Sequence, residues 1–200
     1  MGQLRVKAVA RAISVLGHPG IVMPAAVIGS AVARGAALSI VTSFTLIAIA
    51  LIALVLGYSA WQIRKGAWVD MDASRPAERL QLNVFLAVVL FALAAVLAVS
   101  GFPAAFVVGT LLAGMLIVLA LLLRHRLKLS LHVCFAVYGA ALLWPLVAAT
   151  AAGLVAAIAI GWSRLILQRH TQAEVYLGAV AGGWAGLTLH LLGVTVSHNQ

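Results

Sequence analysis

The sequence predicts an all-α protein: a polytopic bundle of transmembrane helices with six core helices, and a seventh, short N-terminal span if Ile21–Ala33 crosses the membrane. Of the 200 residues, 64% are hydrophobic and only 8% are charged, and the mean hydropathy is +1.15. A water-soluble domain has roughly a quarter of its residues charged. Apolar runs of about 20 residues, which this chain repeats, can cross a bilayer as helices.

The N-terminal 20 residues are basic and weakly amphipathic. They predict an interfacial helix over Leu4–Leu16 that lies along the membrane surface. Ile21–Ala33 is apolar but has only 13 residues and contains Pro24, so it is either a short tilted span or a re-entrant segment. Ala36–Trp61 is a clear span, and Arg64–Gln81 is a polar loop.

The next apolar run, Leu82–Leu123, is too long for one crossing. Gly101-Phe-Pro103 divides it, since glycine and proline favour a turn over a continuing helix. We therefore expect a helical hairpin here, followed by the basic connector Arg124–Lys128.

Ser130–Trp162 is again too long for one crossing, and Pro145 and Gly153 mark the expected turn. Tyr176–Val196 is the last predicted span. The chain contains neither a linker nor a repeat, so we expect a single membrane-embedded domain over residues 1–200, of which residues 1–20 form the basic interfacial segment.

These crossings place three polar segments on the same face of the membrane: Arg64–Gln81, Arg124–His132 and Ser163–Glu174. Two crossings separate each segment from the next. All four acidic residues and nine of the thirteen Lys and Arg residues belong to them. The sequence therefore predicts one site that is assembled from three parts of the chain.

The segment Ser163–Glu174 carries groups for nucleophilic chemistry. If a helix covers its second half, His170 and Glu174 are four residues apart and share one face. A carboxylate that accepts from one imidazole nitrogen fixes the tautomer and leaves the other nitrogen as a base or nucleophile. Arg164 would add a guanidinium group, which suits bidentate phosphate binding.

The other two segments add a second histidine and further cations. Ser130 and His132 begin a membrane helix, where free backbone N–H groups attract anions. Arg75 and Arg79 are candidates for phosphate binding, with Lys65 in reserve. Together these residues predict an anion-binding surface.

Two histidines among several arginines suit phosphoryl transfer through a phosphohistidine. His170 would attack phosphorus and His132 would protonate the leaving oxygen. Asp70 and Asp72 form half of a metal-binding pattern, but a divalent cation is hard to hold without a second acidic cluster. We therefore predict neither a metal nor a cofactor.

Other polar residues have simpler interpretations. The net charge of +9 does not indicate nucleic-acid binding, because no basic stripe carries interleaved aromatic residues. His18 is either a capping or loop residue, which we favour, or a ligand, and His190 predicts an interhelical hydrogen bond. Membrane-orienting anchors explain several basic residues: Arg5, Lys7, Arg11, Arg126 and Lys128.

The order and spacing of the candidate residues resemble the type-2 phosphatidic acid phosphatase superfamily, whose pattern is K-x6-7-RP, then PSGH, then SR-x5-H-x3-D. The early His18-Pro19 and the run His170–Gly178 are also similar to a branch of bacterial homologues. The resemblance covers nearly the whole chain. The matching residues are Arg75-Pro76, Ser130, His132, Ser163-Arg164, His170 and Glu174.

The resemblance implies a membrane-embedded, metal-independent lipid phosphatase with a six-helix core. By position, His170 would be the nucleophile and His132 the general acid, while Glu174 would hold His170 in place of the usual aspartate. Phosphate binding would fall to the motif residues Arg75, Ser130, Ser163 and Arg164.

The chain departs from the family pattern in two further places. Ala67 and Trp68 stand where the family has lysine, and Leu131 replaces the glycine that lets a backbone approach phosphate closely. Two functions stay open. One is hydrolysis of a phosphate or diphosphate monoester of an isoprenoid or glycerolipid, and the other is binding of anionic lipid phosphate by a homologue that no longer catalyses.

The expected partners are a lipid phosphate or diphosphate and the bilayer itself, and the expected location is the bacterial inner membrane. If Ile21–Ala33 spans, only Arg34 lies opposite the site, and the positive-inside rule places the site in the cytoplasm. If that segment is re-entrant, the site faces outward. We favour the cytoplasmic face; the oligomeric state is not indicated.

Overall fold

A computed structural model describes residues 2–71, 73 and 75–192, and within these ranges the chain is all-helical, with no strand. Four helices are long and apolar enough to cross a membrane, namely α3, α4, α5 and α7. The helices in chain order are α1 (Gly2–Leu16), α2 (Pro19–Ala33), α3 (Leu38–Arg64), α4 (Pro76–Val99), α5 (Ala104–Leu123), α6 (Leu131–Leu142), α7 (Val147–Ile166) and α8 (Gln172–Leu191). The predicted all-α, membrane-spanning fold class is confirmed.

The N-terminal helices α1 and α2 are bent against each other by 52° and would count as a fifth span if they form one broken crossing. α1 covers the predicted interfacial helix. α2 begins at Pro19, where proline suits the first turn because its missing N–H would have no helical partner. Pro24 lies inside α2. The bent pair is either one broken span or a re-entrant element, so the predicted choice for Ile21–Ala33, between a short tilted span and a re-entrant segment, stays open.

The hairpin predicted between residues 82 and 123 is present as α4 and α5, which pack against each other. The turn follows Val99. Gly101 has φ of +72°, a left-handed conformation that glycine adopts without a Cβ clash. Pro103 then precedes the first turn of α5.

The predicted polar loop Arg64–Gln81 is too long, because α3 continues to Arg64 and α4 begins at Pro76. Glu78 explains this early start: its Oε2 accepts the backbone N–H of Arg75 at 3.1 Å and caps the helix. The side chain of Glu78 is also buried.

The turn within residues 130–162 lies at Pro145, as predicted, but Gly153 does not take part in it. Gly153 lies inside α7, where it contacts α6. A Cβ at Gly153 would lie 2.8 Å from the Cβ of Ala140, so this glycine permits close helix packing. The last predicted span, Tyr176–Val196, overlaps α8, but α8 as described is not among the helices that are long and apolar enough to cross a membrane. The residues beyond 192 lie outside the described ranges.

α6 is the buried centre of the bundle and packs against α2, α7 and α8. Its 12 residues extend only about 18 Å, whereas the hydrocarbon core of a bilayer is about 30 Å thick. Both ends of α6 therefore lie among other elements of the protein, and their backbone groups need partners there.

Side chains from two neighbouring helices hold the C-terminal end of α6. Ser30 Oγ donates to the carbonyl oxygen of Leu142 at 2.9 Å, and the Arg34 guanidinium donates to the carbonyl of Trp144. His190 Nε2 donates to the carbonyl of Ala141 at 2.8 Å. A cation at a helix C-terminus is favourable because the free carbonyl groups are partly negative. The interhelical hydrogen bond predicted for His190 is present.

Glycines at a four-residue spacing on α8, namely Gly178, Gly182 and Gly186, allow its backbone to touch α6. A Cβ at Gly178 would lie 2.7 Å from the carbonyl oxygen of Ser130, and one at Gly182 would collide with the carbonyl oxygen of Cys134. Small residues at such spacing are typical of closely packed membrane helices. The packing sets the distance between the first turns of α6 and α8.

We predict that Gly182→Ala destabilises the protein while Gly183→Ala does not. The methyl group at Gly182 would push α8 away from Cys134, an overpacking cost of about 1–3 kcal/mol. At Gly183 the new Cβ would meet only Val137 Cγ1 at 3.8 Å, an ordinary contact, and helix propensity improves by up to about 1 kcal/mol. Thermal unfolding in detergent measures both, and equal melting temperatures would contradict the packing.

Candidate functional site

The carboxylate of Glu174 joins two separate parts of the chain. Its Oε1 accepts the backbone N–H of Lys128 at 3.0 Å, and its Oε2 accepts the backbone N–H of Thr171 at 3.0 Å. The same Oε2 lies 3.2 Å from His170 Nδ1. In addition, the backbone N–H of Ser130 donates to the backbone carbonyl of Glu174 at 3.2 Å. The connector before α6 is therefore tied to the connector before α8.

His170 and Glu174 meet, but not on a shared helix face. Thr171 is the N-cap of α8, so His170 precedes the helix. Glu174 is the third residue of the helix and forms a capping box with Thr171, in which each accepts the other's backbone N–H. The capping box turns the carboxylate of Glu174 back toward the imidazole. The two side chains, four residues apart, therefore meet although His170 is not helical.

The surroundings of His170 define its tautomer. Nδ1 lies 3.1 Å from the carbonyl oxygen of Lys128 as well as 3.2 Å from Glu174 Oε2. Both atoms only accept, so Nδ1 carries the proton and, in the neutral ring, Nε2 keeps its lone pair. The side chain is 5% exposed, which shields the ring from bulk water.

The protonated form of His170 is disfavoured. Burial, the Lys128 ammonium and the Arg164 guanidinium lower the pKa of His170 to about 4, although Glu174 acts in the opposite direction. Near neutral pH the imidazole is therefore uncharged, as a nucleophilic nitrogen must be.

Lys128 belongs to the same cluster. Its Nζ donates to the carbonyl of Arg169 at 2.9 Å. Burial and the positive charges of Arg79, Arg164 and Arg169 lower the pKa of Lys128, and Glu174 partly offsets them. Four cations and a single carboxylate thus act on one another here, an excess of positive charge that suits an anion.

The first turn of α6 brings His132 and Ser130 to this cluster. Three ionisable groups act electrostatically on His132: Arg164, His18 and His170. Ser130 occupies the N-cap position and is fully buried. Its hydroxyl has no hydrogen-bond partner among the described residues, which is unusual because buried polar groups are nearly always paired.

Arg164 lies in the last turn of α7. Its Nη1 donates to Ser14 Oγ of α1 at 2.6 Å, a contact between residues 150 positions apart. It acts electrostatically on His132, His170 and Lys128. The N-terminal helix α1 therefore contacts the site through Ser14.

Of the remaining predicted phosphate-binding residues, only Arg79 acts on the cluster, through Lys128. Arg75 points outward, with a side chain 68% exposed and its Nε 4.0 Å from Glu78 of its own helix. The ammonium of Lys65 lies 3.5 Å above the ring of Trp61. The buried hydroxyl of Ser163 donates to the carbonyl of Ile160 at 2.7 Å.

Trp68 stands where the resembling family has lysine. Its ring is buried, and Nε1–H donates to Gln81 Oε1 at 2.8 Å. The position therefore packs the connector onto α4 and adds no charge to the site. Asp72, the second aspartate of the predicted half metal motif, lies outside the described residues.

Four participants are absent from the predicted site residues, and one of them is Arg169, which acts on Lys128. The sequence favours a membrane anchor at Lys128, although its position four residues before His132 is a usable signal. The sequence favours a capping or loop role for His18 over a ligand role. His18 is the N-cap of α2, and its ring also contacts the ring of His132. Ser14 had no signal of its own, because its partner Arg164 lies far along the chain.

Within the part of the chain that the structure describes, no group of three His, Cys, Asp or Glu side chains is placed to hold a metal ion. No protein-family model matches the chain, and no curated protein or solved structure matches it significantly. The resemblance to the lipid phosphatase superfamily therefore rests on the sequence motifs alone.

We predict that Lys128→Gln raises the pKa of His170. The ammonium is the largest charge that opposes protonation of this imidazole, so its removal makes the protonated ring less costly. NMR titration of labelled histidine in detergent micelles follows the ring directly. Lys65→Gln is the matched control, since Lys65 lies over Trp61, and should leave the titration unchanged. An unaltered or lowered pKa in Lys128→Gln would refute the electrostatic coupling.

Proposed function

We propose that the protein is a membrane-embedded lipid phosphatase that removes phosphate from a phosphate or diphosphate monoester through a phosphohistidine. One observation carries the proposal. His170 Nδ1 lies 3.2 Å from Glu174 Oε2. Because that carboxylate only accepts, we infer that the ring proton is on Nδ1 and that the lone pair of Nε2 is available beside a cluster of cations.

In the proposed reaction, His170 Nε2 attacks phosphorus and the bond between phosphorus and the lipid oxygen breaks. The departing oxygen takes the electron pair and a proton from the His132 imidazolium. The bound phosphate dianion would favour that imidazolium, because it brings negative charge next to a ring otherwise faced by Arg164, His18 and His170. His132, now neutral, would take a proton from water as water hydrolyses the phosphohistidine, which restores both rings.

Groups for phosphate recognition surround this pair. Arg164 offers a guanidinium group, and the first backbone N–H groups of α6 attract an anion. The buried, unpartnered hydroxyl of Ser130 at the same helix start gives the anion a further hydrogen-bonding group. Lys128 and Arg79 add positive charge.

A lipid is the class of substrate that fits these surroundings. The site lies where several highly apolar helices end, and α3 and α4 expose long apolar faces. An isoprenoid or glycerolipid tail could remain in the bilayer while the phosphate reaches the connectors between helices. This arrangement supports a substrate that is presented from within the membrane.

A second function, binding of anionic lipid phosphate without turnover, is favoured by Leu131. This residue stands where the resembling family has glycine, and its side chain packs against the core of the bundle. A side chain at this position restricts close approach of phosphate to the backbone. The experiment below separates the two functions.

The proposed location is the bacterial inner membrane with the site on the cytoplasmic face. Arg34 lies at the C-terminal end of α6, opposite the end that carries His132, and the basic connectors lie at the site. The positive-inside rule favours the cytoplasm for the face that carries most Lys and Arg residues. Reporter fusions at Arg34 and Gln200 test this orientation. One predicted crossing separates each of these residues from the site, so both reporters should lie outside the cytoplasm, and both reporters on the cytoplasmic side would refute the proposed face.

We predict that the purified protein releases phosphate from at least one lipid of a panel of isoprenoid and glycerolipid mono- and diphosphates, with EDTA present. His170→Ala should abolish turnover because it removes the nucleophile. Glu174→Gln should lower kcat by about 10²–10⁴-fold, since the amide no longer fixes the tautomer of His170. Phosphate release by each variant is the measurement.

His125→Ala is the matched control, because His125 lies exposed in the connector after α5, and it should retain wild-type turnover. Lipid binding without phosphate release in the wild type would support the binding-only function instead. Turnover in His170→Ala equal to that of the wild type would eliminate the phosphohistidine mechanism.

A further inference from the structure

The bend between α1 and α2 brings residues 14–18, the N-terminal elbow, against the site. Ser14 Oγ accepts from Arg164 Nη1 at 2.6 Å. Gly17 is buried, and a Cβ there would lie 2.7 Å from Cδ1 of Ile160, one helical turn before Arg164. The elbow therefore packs directly onto the part of α7 that carries this arginine.

His18 ends the elbow and faces the site. Its ring and that of His132 have centroids 5.3 Å apart and planes at 87° to each other. Perpendicular aromatic rings at this separation attract each other and restrict one another's rotation. His18 is also one of the three ionisable groups that act electrostatically on His132, together with Arg164 and His170.

The orientation of His18 is set by a separate bond. Its Nδ1 accepts the backbone N–H of Gly20 at 3.1 Å, which caps α2. A nitrogen that accepts carries no proton, so the neutral ring has its proton on Nε2. This bond fixes one nitrogen of the ring at the first turn of α2, and a group that orients a neighbour must itself be fixed by such a contact.

Resting on the phosphatase function proposed above, we propose that His18 is a positioning residue, whose capped imidazole holds the ring of His132 in the orientation from which it protonates the leaving oxygen of the lipid phosphate. Capping alone would require only an acceptor at residue 18, and asparagine, aspartate or serine serves that purpose as well. The ring contact with His132 is the feature that a cap does not need.

The substitution His18→Asn separates the two roles, since asparagine keeps an acceptor for the Gly20 N–H and removes the ring. We expect this variant to melt at the wild-type temperature, with kcat lowered about 10–100-fold, the size expected when a reacting group is misplaced by about 1 Å. KM should change little, and the limb of the kcat–pH profile that reports the general acid should shift. His125→Asn, which alters an exposed histidine, is the matched control.

A second readout keeps the test independent of turnover. In wild-type protein with vanadate, a phosphate analogue, the ring protons of His132 should show an NMR shift caused by the neighbouring imidazole, and His18→Asn should abolish it while the His190 signals stay in place. If the wild type releases no phosphate but this shift is lost, the proposed function fails and the positioning contact stands. Wild-type kcat and an unchanged His132 signal in His18→Asn would reduce His18 to a helix cap.

Discussion

The arrangement of the site depends on the carboxylate of Glu174. This one group accepts the backbone N–H of Lys128, accepts the backbone N–H of Thr171 and contacts His170 Nδ1. An ionised carboxylate bound by several N–H groups makes strong, directional hydrogen bonds. It therefore caps α8, joins the connector before α6 to the connector before α8, and selects the tautomer of His170 at the same time.

The packing of α6 makes this junction possible. Gly178 and Gly182 let α8 approach α6 to backbone contact, which brings the N-cap of α6 beside the first turn of α8. Ser30, Arg34 and His190 satisfy carbonyl groups at the other end. The short helix thus presents its partly positive N-terminus to the cationic cluster, while its partly negative C-terminus is balanced by Arg34. The partial charges of the helix therefore favour an anion at the end that carries His132 and not at the other end.

Much of this arrangement could be predicted because hydrophobic run length decides how often the chain crosses the membrane. The two apolar helices α6 and α7 lie between the segments of His132 and His170 and return the chain to the same end of the bundle, although α6 is too short to be a span of its own. Local spacing paired His170 with Glu174. Which of the basic residues at the start of α4 faces the cluster could not be predicted: Arg75 points outward, whereas Arg79 acts on the cluster. In sequence, a basic residue that anchors a membrane helix cannot be distinguished from one that binds an anion. The role of Lys128 in the site was therefore not predicted. The contacts of Ser14 and His18 join distant parts of the chain and had no local pattern.

The tautomer of His170 is the most direct test of this organisation, because it reports whether Glu174 holds the ring as described. Nitrogen NMR of ¹⁵N-histidine-labelled protein near neutral pH distinguishes a protonated from an unprotonated ring nitrogen. The structure predicts a protonated Nδ1 and an unprotonated Nε2 in the wild type, with the preference weakened in Glu174→Gln. A proton on Nε2 in the wild type would leave no lone pair for attack on phosphorus and would contradict the central claim.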